Sequence, residues 1–163
     1  MSTEPSFQLA AESDASTLLE FMREYYAFDG HGFDPQKSQT ALLTLLRDPT
    51  LGRSWLILDG DLPVGYIVLC LGYSLEFLGR DAFVDELYLR ESHRRRGWGR
   101  KAMEFAEEAA RSLGVTTIHL EVTQPNTVAK QFYHKLGFRD HEHSLMSKWI
   151  ARGFAKPAGR GHH

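Results

Sequence analysis

At 163 residues, 42% hydrophobic and 25% charged, the chain is long enough to bury one proper core and has the make-up of a soluble globular domain. Its formal net charge of −2 argues against a general nucleic-acid binder, which is basic overall. One cysteine, Cys70 in an apolar run, excludes an internal disulfide and reads as a core residue; with no signal peptide and no run that spans a bilayer, the expectation is a cytoplasmic protein with no membrane partner.

Residues 7–10 predict a short first strand. Ser13 or Asp14 is expected to cap a helix whose apolar residues, Ala15, Leu18, Leu19, Met22, Tyr25 and Tyr26, recur on one face. Asp29-Gly30-His31-Gly32 breaks it. Asp34 caps a second helix with Pro35 at its first position, Ala41, Leu42, Leu45 and Leu46 on its buried face, and Asp48-Pro49 at its end. Residues 55–58, the turn Asp59-Gly60-Asp61 and residues 64–71 predict a β-hairpin. Residues 72–80 are a loop or a strand extension, and 83–89 the next strand. In residues 98–113, Ala102, Met103, Ala106, Ala109, Ala110 and Leu113 have the spacing of an amphipathic helix, closed by Gly114. Residues 116–122, rich in β-branched side chains, predict a buried strand. A short helix at 126–136 stops at Gly137, and a last strand is expected at 145–150. With no repeat and no interior linker, residues 1–150 form one expected domain, and 151–163 a flexible tail ending in His162-His163.

The stretch that organises the chain is Asp85-Glu86-Leu87-Tyr88-Leu89, then Arg90-Glu91-Ser92-His93, then Arg94-Arg95-Arg96-Gly97-Trp98-Gly99-Arg100. It reads as a strand, a basic turn and a helix start. The first N–H groups of a helix lack internal partners and sit at the positive end of its dipole, so an anion such as a pyrophosphate binds there. Gly97 and Gly99 leave the backbone uncovered for close approach, and the arginines add charge. A solvated cap or a nucleic-acid patch would explain the arginines, but not a glycine pair between an apolar strand and an amphipathic helix.

This order and these residues resemble the GNAT superfamily of acyl-CoA N-acyltransferases over roughly residues 7–150. The family's signature is Arg or Gln, two residues, Gly, one residue, then Gly or Ala, here Arg94-Arg95-Arg96-Gly97-Trp98-Gly99. A second feature is an Asn opening a short helix, an aromatic pair on it and Leu-Gly-Phe after it, here Asn126, Phe132-Tyr133 and Leu136-Gly137-Phe138. Arg95 stands where the family often has Gly, and Trp98 where it has Ile or Leu. The resemblance implies an α/β (α+β) fold, a central mixed, mostly antiparallel sheet with helices on both faces. It implies acetyl transfer from acetyl-CoA to a primary amine of a small molecule or protein.

It also implies roles. Backbone amides of Arg95, Arg96, Gly97, Trp98, Gly99 and Arg100 hold the coenzyme A pyrophosphate, with the side chains of Arg94, Arg95, Arg96 and Arg100 divided between phosphates and solvent. A bulge splays the strand at 83–89, freeing backbone groups of Leu87 and Leu89 for the thioester carbonyl and the pantetheine arm. Tyr133 returns a proton to the departing thiolate, and Asn126 caps its helix, bonds the pantetheine, or both. A carboxylate must take the proton of the amine. By strand alternation Asp85 and Glu86 point to opposite faces, and Asp85 shares the side of Leu87, which favours it over Glu86. Either can equally be a solvated strand carboxylate.

The amine pocket is expected from the first two helices and the loop at 73–80, with Tyr25, Tyr26, Asp29, His31, Glu76 and Arg80 as candidates. Eight histidines show no metal-ligand spacing, so no metal is expected. The resemblance leaves a homodimer open. The competing readings are a non-catalytic acyl-CoA-binding regulatory module and nucleic-acid binding through residues 94–101; the carboxylates and Tyr133 favour the enzyme over the first, the net charge weighs against the second.

Overall fold

The computed structural model describes residues 2–154. Its strands are β1 Ser6–Leu9, β2 Gly52–Asp59, β3 Leu62–Ser74, β4 Gly79–Leu89 and β5 Thr117–His119; its helices are α1 Ala15–Phe28, α2 Pro35–Arg47, α3 Trp98–Ser112 and α4 Thr127–Lys135. The strands form one sheet in sequence order. β1 to β4 pair antiparallel and β5 joins β4 in parallel, the mixed sheet expected. By packing, the chain forms two compact units, residues 2–25 with 34–120, and residues 26–33 with 121–154.

Alternation along the strands assigns the faces. The row Leu9, Trp55, Ile67 and Leu87 lies on one face, and the row Gln8, Leu56, Tyr66 and Tyr88 on the other. On the first face Phe105 of α3 stacks on Phe7 at 4.3 Å and meets Trp55 edge-on at 5.4 Å. On the second, Phe21 of α1 lies 6.2 Å from both Tyr66 and Tyr88. Phe21, Ile57, Ile67 and Leu69 are fully enclosed. Each such side chain contributes about 1.5–3 kcal/mol of burial free energy, which is what holds helices to both faces of the sheet.

Most local signals hold. Asp34 Oδ1 accepts from the Lys37 N–H at 3.1 Å, with Pro35 as first residue of α2. Gly60 turns the β2–β3 hairpin at φ +60. Residues 72–80 are strand extension around a second hairpin turn, since β3 continues to Ser74 and β4 begins at Gly79.

Three expectations fail. Neither Ser13 nor Asp14 caps α1: the chain enters through a 3₁₀ turn, Glu12–Asp14, and Asp14 Oδ2 accepts from the Ala11 N–H behind it. The strand expected at 116–122 keeps three residues, half-buried, paired with Asp81, Ala82 and Phe83 alone. β-Branched composition does not bury an edge strand with a neighbour on one side. Residues 145–150 form no strand, and Leu145, Met146 and Ile150 are exposed. A strand needs a partner edge, and among the described residues none pairs with this segment. Of the expected tail, residues 155–163 lie outside the described residues.

Candidate active site

β4 carries one residue too many. Val68 pairs with Glu86 but Leu69 with Val84, which leaves Asp85 as the extra residue of a β-bulge. Before the bulge, Phe83 and Asp85 alternate onto the face of Cys70; after it, Glu86 and Tyr88 share the face of Val68 and Tyr66. On β3 these partners alternate together, so both carboxylates lie on the α1 face. The parity argument that set Asp85 with Leu87 and against Glu86 is overturned, because the added residue shifts the period-two pattern by one. Asp85 is exposed, and Glu86 is half-buried with Oε1 accepting from Tyr66 Oη at 3.2 Å. Burial and then the charges of Asp85 and Glu86 push the Cys70 thiol up to about 11. The attacking form of cysteine is the thiolate, so Cys70 is no nucleophile at neutral pH.

Beyond Phe83 the outer edge of the same strand pairs with no other strand among the described residues, an open edge in this sense. The Arg90 N–H donates to the Val64 carbonyl at 2.9 Å. Backbone groups of Arg90 and Tyr88 therefore point towards β3, and those of Leu87 and Leu89 point the other way. Pairing with β5 stops at Phe83 and His119. The Leu87 side chain is half-buried and that of Leu89 buried.

The turn after β4 has the shape an anion requires. Arg95 and Gly97 both adopt left-handed backbone, at φ +61 and +80. The first helical bond runs from the Lys101 N–H to the Gly97 carbonyl at 3.1 Å, and among the described residues the N–H groups of Trp98, Gly99 and Arg100 have no acceptor. A Cβ placed at Gly97 or Gly99 would meet nothing within 4 Å. Uncovered amides at the start of a long helix, with open space over both glycines, fit the pyrophosphate of coenzyme A.

The arginine side chains are more specialised than a general positive patch. Arg94 Nε donates to the Leu89 carbonyl at 2.7 Å. Arg96 sits 5.0 Å from the Trp98 ring centre and donates to the Ser2 carbonyl at 3.3 Å. Arg100 pairs with Glu104 at 3.0 Å on the exposed face of α3. Arg95 is exposed, and among the described residues it keeps no such partner. The Trp98 side chain is 1% exposed and lies 5.2 Å from the His93 ring, so it packs in the core; only its N–H belongs to the turn.

Two polar pairs escaped the sequence reading. His93 Nε2 lies 2.8 Å from Asp59 Oδ2, both side chains 7% exposed, and Asp59 Oδ1 accepts from the Ser2 N–H at 2.6 Å. The bonds from His93 and Ser2 outweigh desolvation and hold the Asp59 carboxyl below its ordinary range. This pair fastens the entry of the turn to the β2–β3 hairpin. On the other face Glu24 of α1 accepts from Tyr88 Oη at 2.9 Å and from Arg90 at 3.0 Å. Burial alone would raise the Glu24 carboxyl, but the hydrogen bonds from Arg90 and Tyr88 and the charge of Arg90 hold it below its usual value. Neither pair leaves a local motif, since its members are 34 and 64 residues or more apart.

Tyr133 and Asn126 belong to the second unit. Asn126 caps α4, its side chain accepting from the Ala129 N–H at 3.1 Å. Tyr133 is packed against Phe132 at 5.0 Å and Phe138 at 5.8 Å, and burial raises its phenol above the ordinary value. Of the amine-pocket candidates, Tyr25 meets Tyr88 edge-on at 5.8 Å in the first unit. Tyr26, Asp29 and His31 lie in the second, where Tyr26 contacts the rings of His31 and Phe33. Glu76 and Arg80 are exposed at the β3–β4 turn.

Comparison with known proteins bears on this arrangement as a whole. The profile of the Acetyltransferase (GNAT) family matches residues 17–138. A thialysine N-epsilon-acetyltransferase of Mus musculus is 27% identical over 164 residues, covering 93% of this chain and 92% of that protein. An integron cassette protein from the mobile metagenome of Cole Harbour Salt Marsh is similar in structure with TM-score 0.79 at 32% identity, over 89% of this chain and 90% of that one. A predicted acetyltransferase of Clostridium acetobutylicum, solved with acetyl-CoA, shares the fold at TM-score 0.75 and 14% identity, over 88% and 96%. With the family profile spanning the strand, the bulge, the glycine turn and the short aromatic helix, the chain belongs to the GNAT family of acetyltransferases.

Proposed function

We propose that residues 1–150 act as one acetyltransferase domain that moves the acetyl group of acetyl-CoA to the primary amine of a small, cationic amino compound. The observation that carries the site assignment is the run of amides at Trp98, Gly99 and Arg100, which have no acceptor among the described residues, beside the outward-facing backbone of Leu87 and the outward-facing N–H of Leu89, whose carbonyl Arg94 occupies. The co-substrate supplies an acyl group already activated as a thioester. The amides at 95–100 hold its pyrophosphate, and an N–H on the open edge of β4 stabilises the charge that grows on the thioester oxygen. An ammonium is no nucleophile, so Glu86, oriented by Tyr66, takes the proton of the amine. Asp85, exposed beside it, attracts the cation. The family resemblance gives Tyr133, whose phenol burial keeps protonated, the role of returning a proton to the departing sulfur. The likeness to a thialysine acetyltransferase over nearly the whole chain supports a small amino-acid-like acceptor.

Gly99→Val tests the cofactor site. Gly99 needs no left-handed backbone and a Cβ there would meet nothing within 4 Å, so the backbone accepts a side chain, and thermal melts check the fold of the variant. Calorimetry should show CoA affinity lowered at least tenfold; unchanged affinity overturns the assignment. Thiol release with thialysine, lysine and simple alkylamines tests the acceptor class.

A further inference from the structure

Arg94 opens the family signature, yet its side chain runs back to the strand. Its Nε donates to the Leu89 carbonyl at 2.7 Å, and its guanidinium carbon lies 5.5 Å from the Tyr88 ring centre. Tyr88 Oη donates to Glu24 Oε2 at 2.9 Å, and Arg90 grips both oxygens of the same carboxylate while lying 4.9 Å from the ring centre of Phe21. One polar network thus runs from the first residue of the turn, across the end of β4, to helix α1. We propose that Arg94 is a positioning residue and not a phosphate ligand: it fastens the pyrophosphate turn to β4 and, through Tyr88 and Glu24, to the helix that covers the carboxylate face. This rests on residues 94–100 being the pyrophosphate site.

The chemistry of the side chain suits this task. A guanidinium offers an N–H edge to a carbonyl and a flat face to a ring at once, which an ammonium cannot do. The Leu89 carbonyl it occupies is one of the outward groups of the open edge. Arg94 therefore decides which backbone groups of that edge stay available, and a change there alters the thioester arm and the acceptor face together. A phosphate ligand would act on the pyrophosphate alone.

The test compares CoA with pantetheine, which keeps the thiol arm and lacks the pyrophosphate. Affinities are measured by calorimetry, and KM for thialysine by thiol release, for wild type, Arg94→Lys, Arg94→Gln and Tyr88→Phe, with thermal melts to confirm folding. Wild type should prefer CoA; equal affinities would overturn the pyrophosphate reading itself. Given that preference, both Arg94 variants should weaken CoA and pantetheine by the same factor, about tenfold for one charge-assisted bond. Weakening of CoA alone makes Arg94 a phosphate ligand and overturns the proposal. Tyr88→Phe keeps the ring under Arg94 and loses the bond to Glu24. It should leave CoA affinity intact and raise KM for thialysine about threefold to tenfold; an unchanged KM breaks the proposed link to α1.

Discussion

Glu86 Oε1 accepts a hydrogen bond from Tyr66 Oη at 3.2 Å, one residue past the bulge that leaves Asp85 unpaired on β4. The bulge puts both carboxylates on one face but gives only one of them this tyrosine partner. Glu86→Gln should lower kcat about 10²–10⁴-fold, most severely below the pKa of the amine, where little of it is free. Asp85→Asn should leave kcat nearly intact and raise KM for a cationic acceptor. Profiles of kcat and kcat/KM against pH check both; the reverse pattern would exchange the two roles.

Tyr133→Phe keeps the contacts with Phe132 and Phe138 and removes only the proton. Burial raises the phenol, so it stays protonated through neutral and mildly alkaline pH. Turnover should fall ~10²-fold or more with CoA affinity unchanged. Wild-type turnover in the variant, with chemistry rate-limiting, would make the tyrosine a packing residue.

Arg95 holds left-handed backbone at φ +61 with a side chain that opposes it. That strain costs roughly 1–2 kcal/mol, and glycine offsets part of the gain by about 0.5–1 kcal/mol of unfolded-chain entropy. Arg95→Gly should therefore stabilise the protein by about 0.5 kcal/mol and raise Tm by about 1–2 °C. Gly97→Ala, at φ +80, should do the opposite by about 1 kcal/mol. Melting curves of the two variants decide it; a Tm for Arg95→Gly below wild type counts against strain at this residue.

The Asp59 carboxylate gives the fold an acid-sensitive joint. Its folded-state pKa lies below the unfolded value, chiefly through the bond to His93. Ionised Asp59 therefore stabilises the fold above about pH 4, its unfolded range, and this contribution is lost as pH falls through the lower folded value. Asp59→Asn should lower Tm at neutral pH, with the gap to wild type closing as the pH drops below about 4. A gap that stays constant with pH would mean that the charge is not what holds His93.

The sequence by itself determined whatever depends on neighbours along the chain. The glycine turn at 97–99, the buried stripe of α3 and the Asp34 and Asn126 caps are each written in a few consecutive residues or one helical period. The same holds for the family signature, whose two motifs are local strings. Only the tertiary structure decided which way Asp85 and Glu86 face, because a bulge is a property of two paired strands and its register with β3 is invisible in β4 alone. It also decided that Arg94 turns back to Leu89, that Trp98 packs on His93, and that Asp59 and Glu24 anchor residues far along the chain. The failed strand at 145–150 has the same cause: only Trp149 and Ile150 favour extension, hydrogen bonding between strands is supplied by a neighbour, and a segment cannot specify its neighbour by its own composition.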